Sequence, residues 1–259
     1  MALYFQEFGE TDSPAAPLVI VHGLFGSSVN WRAMARKLAE KRKVYTVDMR
    51  NHGKSPHMDI MSYEAMAMDL VRFMDSAGLK QADIVGHSMG GKASMVAALL
   101  YPEHVKSLAV LDIAPVTYTH SYSEMLNAML AVDMTKCSSR SQVESKLKKG
   151  IPDDSTRLFI MQNVLAADGE LTWRLNLPVL IEYMDDIIGF PAALVEARQY
   201  EGKVAMIYGK NSDYVKASAG PVVRDYFPES EFISVEDAGH WIHVDQPEYL
   251  LELLQNHLN

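Results

Sequence analysis

Apolar runs alternate with amphipathic stretches along the first part of the chain. Residues 17–22 form a run without polar alternation, and short, mostly apolar strand patterns occupy 44–47, 82–85 and 105–111. An uninterrupted apolar run is typical of a central parallel strand that is covered on both faces. Between the runs, apolar residues recur at helical spacing, as in 31–40. Strands that alternate with helices in this way predict an α/β fold with a mostly parallel, doubly wound sheet.

The alternation stops between residues 117 and 200. Helical patterns that no strand pattern interrupts occupy 124–132, 141–149, 154–163 and 177–187. The strand pattern resumes at 203–209 and 231–235, a final helix is predicted from Pro247, and the N-terminal residues read as an edge strand. The pattern therefore predicts a helical insertion over 117–200 in a core formed by 1–116 and 201–259.

Composition narrows the classes of partner. The chain has 259 residues, 48% of them apolar, and a net charge of −9. Such a charge disfavours binding to nucleic acid or to an anionic membrane, so we expect a small-molecule partner. The composition does not predict an oligomeric state.

Features of the chain also indicate its compartment. Cys137 is the only cysteine, so no internal disulfide can form. The N-terminal residues carry acids where a signal peptide carries bases, and no run of about 18 apolar residues is present. We therefore expect a cytoplasmic protein without a membrane segment.

The motif that indicates function most clearly is Gly86-His87-Ser88-Met89-Gly90, which lies between a predicted strand and a predicted helix. Glycines on both sides of Ser88 suit a tight strand-to-helix corner whose central residue adopts a strained backbone. A serine on such a corner projects from the sheet edge. The N-terminus of the following helix then lies where an oxyanion would form.

This strand, corner and helix resemble the α/β-hydrolase family, and the resemblance covers the whole chain. It implies that Ser88 is the nucleophile and that the insertion is a cap over the active site. The segment His22-Gly23-Leu24 resembles the family's oxyanion loop, which implies that the backbone N–H groups of Leu24 and Met89 hold the oxyanion. No cofactor or metal is expected, since the sequence contains neither a His-Glu-x-x-His motif nor a Walker loop.

The resemblance also indicates the catalytic base. His240 follows Gly239 just after the last predicted strand, where the family places this residue. Imidazole suits the role because it takes and returns a proton near neutral pH.

Two positions compete for the acid that orients the base. In the commoner family arrangement the acid stands three residues after Gly209, but Ser212 occupies that position and Asp213 is adjacent. Asp112 ends the preceding core strand. A subgroup of bacterial esterases and acyl-CoA thioesterases, which the segment 111–116 resembles, places its acid there, after the strand that the family counts as its sixth. We favour Asp112 with Ser212 as a hydrogen-bonding helper, and Asp213 is the alternative acid.

The resulting hypothesis is a serine carboxylesterase that hydrolyses short-chain acyl esters through a Ser-His-Asp triad and an acyl-enzyme intermediate. The subgroup resemblance admits acyl-CoA thioesters as well. Two alternatives stay open: a carbon–carbon bond hydrolase or cofactor-free perhydrolase with the same triad, and a non-catalytic ligand receptor on the same scaffold.

Overall fold

The computed structural model describes residues 2–10, 13–119, 122–167 and 169–258. The strands in these ranges are β1 (Phe5–Phe8), β2 (Leu18–Val21), β3 (Val44–Val47), β4 (Ala82–His87), β5 (Val105–Leu111), β6 (Val164–Ala167), β7 (Glu170–Trp173), β8 (Lys203–Gly209) and β9 (Ser230–Val235). The α-helices are α1 (Arg32–Leu38), α2 (Tyr63–Ser76), α3 (Met89–Leu100), α4 (Ser123–Leu130), α5 (Arg140–Leu147), α6 (Asp154–Met161), α7 (Leu177–Glu182), α8 (Met184–Ile188), α9 (Gly220–Tyr226), α10 (Ile242–Asp245) and α11 (Pro247–His257).

Seven strands form one sheet in the spatial order β1-β3-β2-β4-β5-β8-β9. Only the edge strand β1 runs antiparallel to its neighbour, and the other pairs in this sheet are parallel. The predicted mostly parallel α/β sheet is therefore confirmed.

Alternate residues of the central strands enter two separate apolar cores, one on each face of the sheet. On β2, Val19 and Val21 pack with Phe73 of α2, whereas Leu18 and Ile20 pack on the opposite face. The side chains of a strand alternate between faces, so both faces of a central strand must be apolar. This requirement explains why the central strands are mostly apolar.

The inserted segment is not purely helical, and the prediction on this point is wrong. Between α6 and α7 it contains an antiparallel hairpin of β6 and β7. Leu165 to Ala167 are all exposed, so the first strand has no alternation of buried and exposed positions. The predicted helix 177–187 is also divided, because α7 ends before Tyr183 and α8 begins after it.

Among the helices within the described ranges, none combines the length and apolar character that crossing a membrane requires.

Candidate active site

Ser88 occupies the corner between β4 and α3 in a strained conformation. Its backbone has φ 53° and ψ −120°, which a residue with a side chain rarely adopts. The flanking glycines make the corner possible: a Cβ on Gly86 would lie 2.6 Å from the carbonyl oxygen of Gly90, and one on Gly90 would lie 2.4 Å from that of His22. The Ser88 N–H donates to the carbonyl of Leu111 over 3.0 Å, which ties the corner to β5.

The loop after β9 brings His240 to this corner. Its Nε2 lies 3.1 Å from Ser88 Oγ, and its Nδ1 lies 2.7 Å from Asp112 Oδ2. The imidazole thus bridges a hydroxyl and a fully buried carboxylate. Hydrogen bonding to both partners selects the tautomer with the proton on Nδ1, which leaves Nε2 able to accept a proton.

Asp112 is the first residue after β5. This strand is the fifth in chain order, since four strands precede it. Its carboxylate accepts the backbone N–H of Gly209 over 3.0 Å and the hydroxyl of Ser212, besides facing His240. Asp213 is exposed, and among the described residues no hydrogen bond or ion pair joins it to His240. Of the two acids considered, the structure brings only Asp112 to the imidazole.

The two predicted oxyanion donors flank Ser88. Met89 is the first residue of α3, where a backbone N–H has no partner within the helix. Leu24 lies in the loop after β2. Within the described ranges, neither backbone N–H has a recorded protein acceptor, and both residues line the cavity next to Ser88.

Two buried histidines hold the loop that carries Leu24. His22 donates from Nδ1 to the carbonyl of Gly23, and its Nε2 accepts the N–H of Met49 over 2.9 Å. His52 accepts a hydrogen bond from the N–H of Phe25 at Nε2 over 3.2 Å. Its Nδ1 donates to the backbone carbonyl of Arg50. Both patterns require a neutral ring. Burial lowers the pKa of His22. Burial and the nearby His22 ring lower the pKa of His52 to about 3.

Two rings pack against the His240 imidazole, and a third histidine supports one of them. Tyr214 stacks on its ring with centroids 3.8 Å apart, and His87 lies 4.8 Å away on another side. His243 packs between the rings of Trp31 and His87. Burial and the nearby His240 ring lower the pKa of His243 to about 4. These contacts restrict the orientation of the imidazole.

Two cavities meet at Ser88. The larger arm is lined by His22, Gly23, Leu24, Phe25, Gly26, Asn30, Trp31, His87, Ser88, Tyr122, Met125, Thr156, Phe159, Ile160, His240, Trp241 and His243. The smaller arm is lined by Leu24, Tyr63, Ser88, Met89, Lys92, Ile113, Tyr118, Tyr122, Ile187, Ile188 and Tyr214. The inserted segment contributes walls to both arms.

Sequence reasoning missed Tyr214 and Lys92 as residues of this site. Tyr214 stands two residues after Ser212, so the position of the Ser212 helper was a usable signal. Lys92 follows Ser88 by one helical turn, and a lysine within a mostly apolar helix was a second signal. Burial lowers the pKa of Lys92 to about 7.

Comparisons with known proteins identify the family of this chain. Residues 16–135 match the family model described as alpha/beta hydrolase fold. The chain is 36% identical over 247 residues to the sn-1-specific diacylglycerol lipase ABHD11 of Danio rerio, covering 92% of this chain and 76% of that protein. It is 34% identical over 245 residues to the esterase YbfF of Escherichia coli (strain K12), covering 94% of this chain and 93% of that protein.

A solved structure gives the same likeness in three dimensions. The protein described as a marine microorganism esterase is 32% identical to this chain and superposes with a TM-score of 0.93, covering 99% of each chain. At this coverage the likeness includes the inserted segment as well as the sheet.

Proposed function

Because this chain belongs to the α/β-hydrolase fold family and is a hydrolase with esterase and lipase relatives, we propose that it is a serine carboxylesterase for short-chain acyl esters. The observation that supports the proposal most strongly is the continuous contact from Ser88 Oγ through the His240 imidazole to Asp112. A hydroxyl, an imidazole and a carboxylate in this order form an activated nucleophile.

The proposed reaction begins when Ser88 Oγ attacks the ester carbonyl and His240 Nε2 takes the hydroxyl proton. The oxyanion that forms accepts hydrogen bonds from the backbone N–H groups of Leu24 and Met89. His240 then returns the proton to the leaving alcohol, and an acyl group remains on Ser88. Water attacks this acyl-enzyme with His240 again as the base, and the carboxylic acid leaves.

We assign the orienting acid to Asp112. Its carboxylate holds the Nδ1 proton of His240 and stabilises the imidazolium that forms during the reaction. The Ser212 hydroxyl and the Gly209 N–H fix the carboxylate in turn. These contacts support Ser212 as the helper.

The position of His240 suggests which arm takes which half of the substrate. His240 must protonate the leaving alcohol, and it lines the larger arm only. Met89, whose N–H would hold the oxyanion, lines the smaller arm only. The alcohol therefore occupies the larger arm and the acyl group the smaller one, which supports the preference for short acyl groups. The thiol of an acyl-CoA thioester would leave by the same larger arm.

We also propose that residues 117–200 act as a cap on a core of 1–116 and 201–259. Phe159 of α6 lines the larger arm and Ile187 of α8 lines the smaller one. The cap would then determine selectivity, while the core carries the groups that react.

The test compares wild type with Ser88→Ala on p-nitrophenyl acetate, butyrate and octanoate. We expect wild type to favour the shorter esters and the variant to lose at least about a thousandfold in kcat, with an unchanged circular dichroism spectrum. Ser218→Ala, at an exposed serine, is the matched control and should behave as wild type.

A serine-reactive phosphonate distinguishes the enzyme from a non-catalytic receptor. It should label wild type and Ser218→Ala but not Ser88→Ala. Turnover by Ser88→Ala close to the wild-type rate would contradict the proposed nucleophile, and failure of wild type to react with the probe would favour the receptor.

A further inference from the structure

Lys92 lies one helical turn after Ser88 and is only 1% exposed. Its N–H donates to the Ser88 carbonyl over 3.0 Å as the helical hydrogen bond of this turn. Residues four apart share a helix face, and helical side chains lean toward the N-terminus. The lysine side chain is therefore directed toward the end of α3 that bears Ser88, and it lines the smaller arm.

The Lys92 ammonium is held by carbonyl groups and aromatic rings. Nζ donates to the carbonyl oxygens of Ile188, over 2.8 Å, and Gly189, at the end of α8. The ring of Tyr118 lies 4.7 Å from Nζ and that of Tyr63 lies 5.8 Å away. These contacts fix the ammonium in position but supply no full negative charge.

A counter-ion is missing from this environment. Throughout the described part of the chain, no carboxylate forms an ion pair with Lys92, and only two hydrogen-bond acceptors are recorded for its three N–H donors. Burying an ammonium without an opposite charge is costly, and buried charges in proteins are usually paired. A buried, unpaired cation that faces a cavity beside the nucleophile is a candidate ligand-binding group.

We propose that the smaller arm selects short acyl groups that end in a carboxylate, so that the preferred substrates are half esters of dicarboxylic acids, and that Lys92 binds this carboxylate. The inference rests on the proposed function, since it assumes that the acyl group enters the smaller arm. A half ester then places its carbonyl at Ser88 and its carboxylate at the ammonium.

The chemistry of the arm distinguishes such a substrate from a neutral ester of equal length. A terminal carboxylate accepts the remaining N–H of Lys92 in a charge-assisted hydrogen bond and neutralises the buried charge. A terminal methyl group does neither and leaves the ammonium unpaired. Discrimination that arises from an unpaired buried group is larger than discrimination by size alone.

The experiment uses two substrates with the same number of acyl carbons and the same leaving group, monomethyl succinate and methyl butyrate. Acid release is followed by base uptake at constant pH, and kcat/KM is determined for each ester. We expect the wild-type enzyme to favour the half ester by about 10-fold or more. The readout is the ratio of the two values within one protein, so a general loss of activity cancels.

Lys92→Met keeps the length of the side chain and removes its charge. The ratio should fall by about 30-fold or more, the size expected when one partner of a buried charge pair is removed. Lys106→Met removes an exposed lysine on β5 and should keep the wild-type ratio, which controls for the change in net charge.

The possible outcomes separate the two proposals. If wild type cleaves methyl butyrate as well as or better than the half ester, the carboxylate subsite is wrong and the esterase proposal stands; this comparison needs no variant. If Lys92→Met loses activity on both esters with the ratio unchanged, Lys92 only holds α8, and the subsite is again wrong. If wild type cleaves neither these esters nor the p-nitrophenyl esters, the proposed function itself fails.

Discussion

His87 Nε2 donates a hydrogen bond to the backbone carbonyl of His240 over 2.8 Å. The residue that precedes the proposed nucleophile thus holds the backbone of the proposed base. Burial, with the two imidazoles of His240 and His243 nearby, keeps the pKa of His87 well below its usual range. His87 is therefore neutral at physiological pH, with its proton on the nitrogen that makes this bond.

Removing this donor should displace the base without removing it. We expect His87→Phe to lower kcat for p-nitrophenyl butyrate by about 10- to 100-fold with little change in KM, because a small displacement of a catalytic group has effects of this size. His87→Gln, whose amide can donate from a similar position, should recover most of the loss. Equal losses in the two variants would show that ring packing, and not the hydrogen bond, is what matters.

The acid assignment is tested by a pair of substitutions. Asp112→Asn should lower kcat by about 10⁴-fold, since the orienting carboxylate selects the His240 tautomer, whereas Asp213→Asn should change kcat less than about twofold. Ser212→Ala should have an intermediate effect of about 10-fold, because it removes one of three donors to the carboxylate. The opposite order for the two Asn variants would reverse the assignment.

The two arms can be distinguished by shortening one wall of each. Ile187→Ala enlarges the smaller arm, so the preferred acyl chain should lengthen by one or more carbons while the preference for the alcohol stays the same. Phe159→Ala enlarges the larger arm and should change the preference for the alcohol alone. Rates on a matrix of esters that varies both halves independently provide the measurement, and the reverse pattern would mean that the substrate binds in the opposite direction.

Buried neutral histidines should make the fold sensitive to acid. His52 has a pKa of about 3 in the folded protein and an ordinary value near 6.5 when unfolded. Between these values the unfolded chain binds the extra proton, so the free energy of unfolding falls as the pH is lowered from about 6.5 toward 3. His243, with a pKa of about 4, acts in the same direction.

Urea unfolding between pH 7 and pH 4.5 measures this dependence. His52→Gln should reduce its slope by up to about 1.4 kcal/mol per pH unit, the value for one proton. His57→Gln, at an exposed histidine that contributes little to the lowered pKa of His52, should change the slope much less. An identical slope in wild type and His52→Gln would show that His52 does not contribute to the acid sensitivity.

Much of the sheet could be predicted because its signals are local. A central strand such as β2 is apolar on both faces, and the glycines around Ser88 are close in sequence to the corner that requires them. The same local logic failed for β6, whose exposed residues show no alternation. This segment becomes a strand because it pairs antiparallel with β7. The composition of so short a segment does not indicate that pairing.

The parts of the site that sequence reasoning missed depend on distant partners. Lys92 contacts carbonyl groups 96 and 97 residues away, and His87 contacts one 153 residues away. Backbone carbonyls carry no sequence signature, so neither contact could be predicted from residue types. Asp112 could be favoured over Asp213 because Ser212 interrupted the commoner pattern, which is a sequence signal.

The adjacency of β4 and β5 has a consequence for the order in which the site assembles during folding. These strands are consecutive along the chain, so Ser88 and Asp112 can meet through local contacts, whereas His240 joins Asp112 across 128 residues. Contacts between residues distant in sequence form slowly. We expect refolding protein to regain its far-ultraviolet circular dichroism before esterase activity, with the delay set by docking of the C-terminal strand. A chain interrupted before β9 docks would then hold a nucleophile and an acid without a base, so the nascent enzyme stays inactive until its last strand is in place.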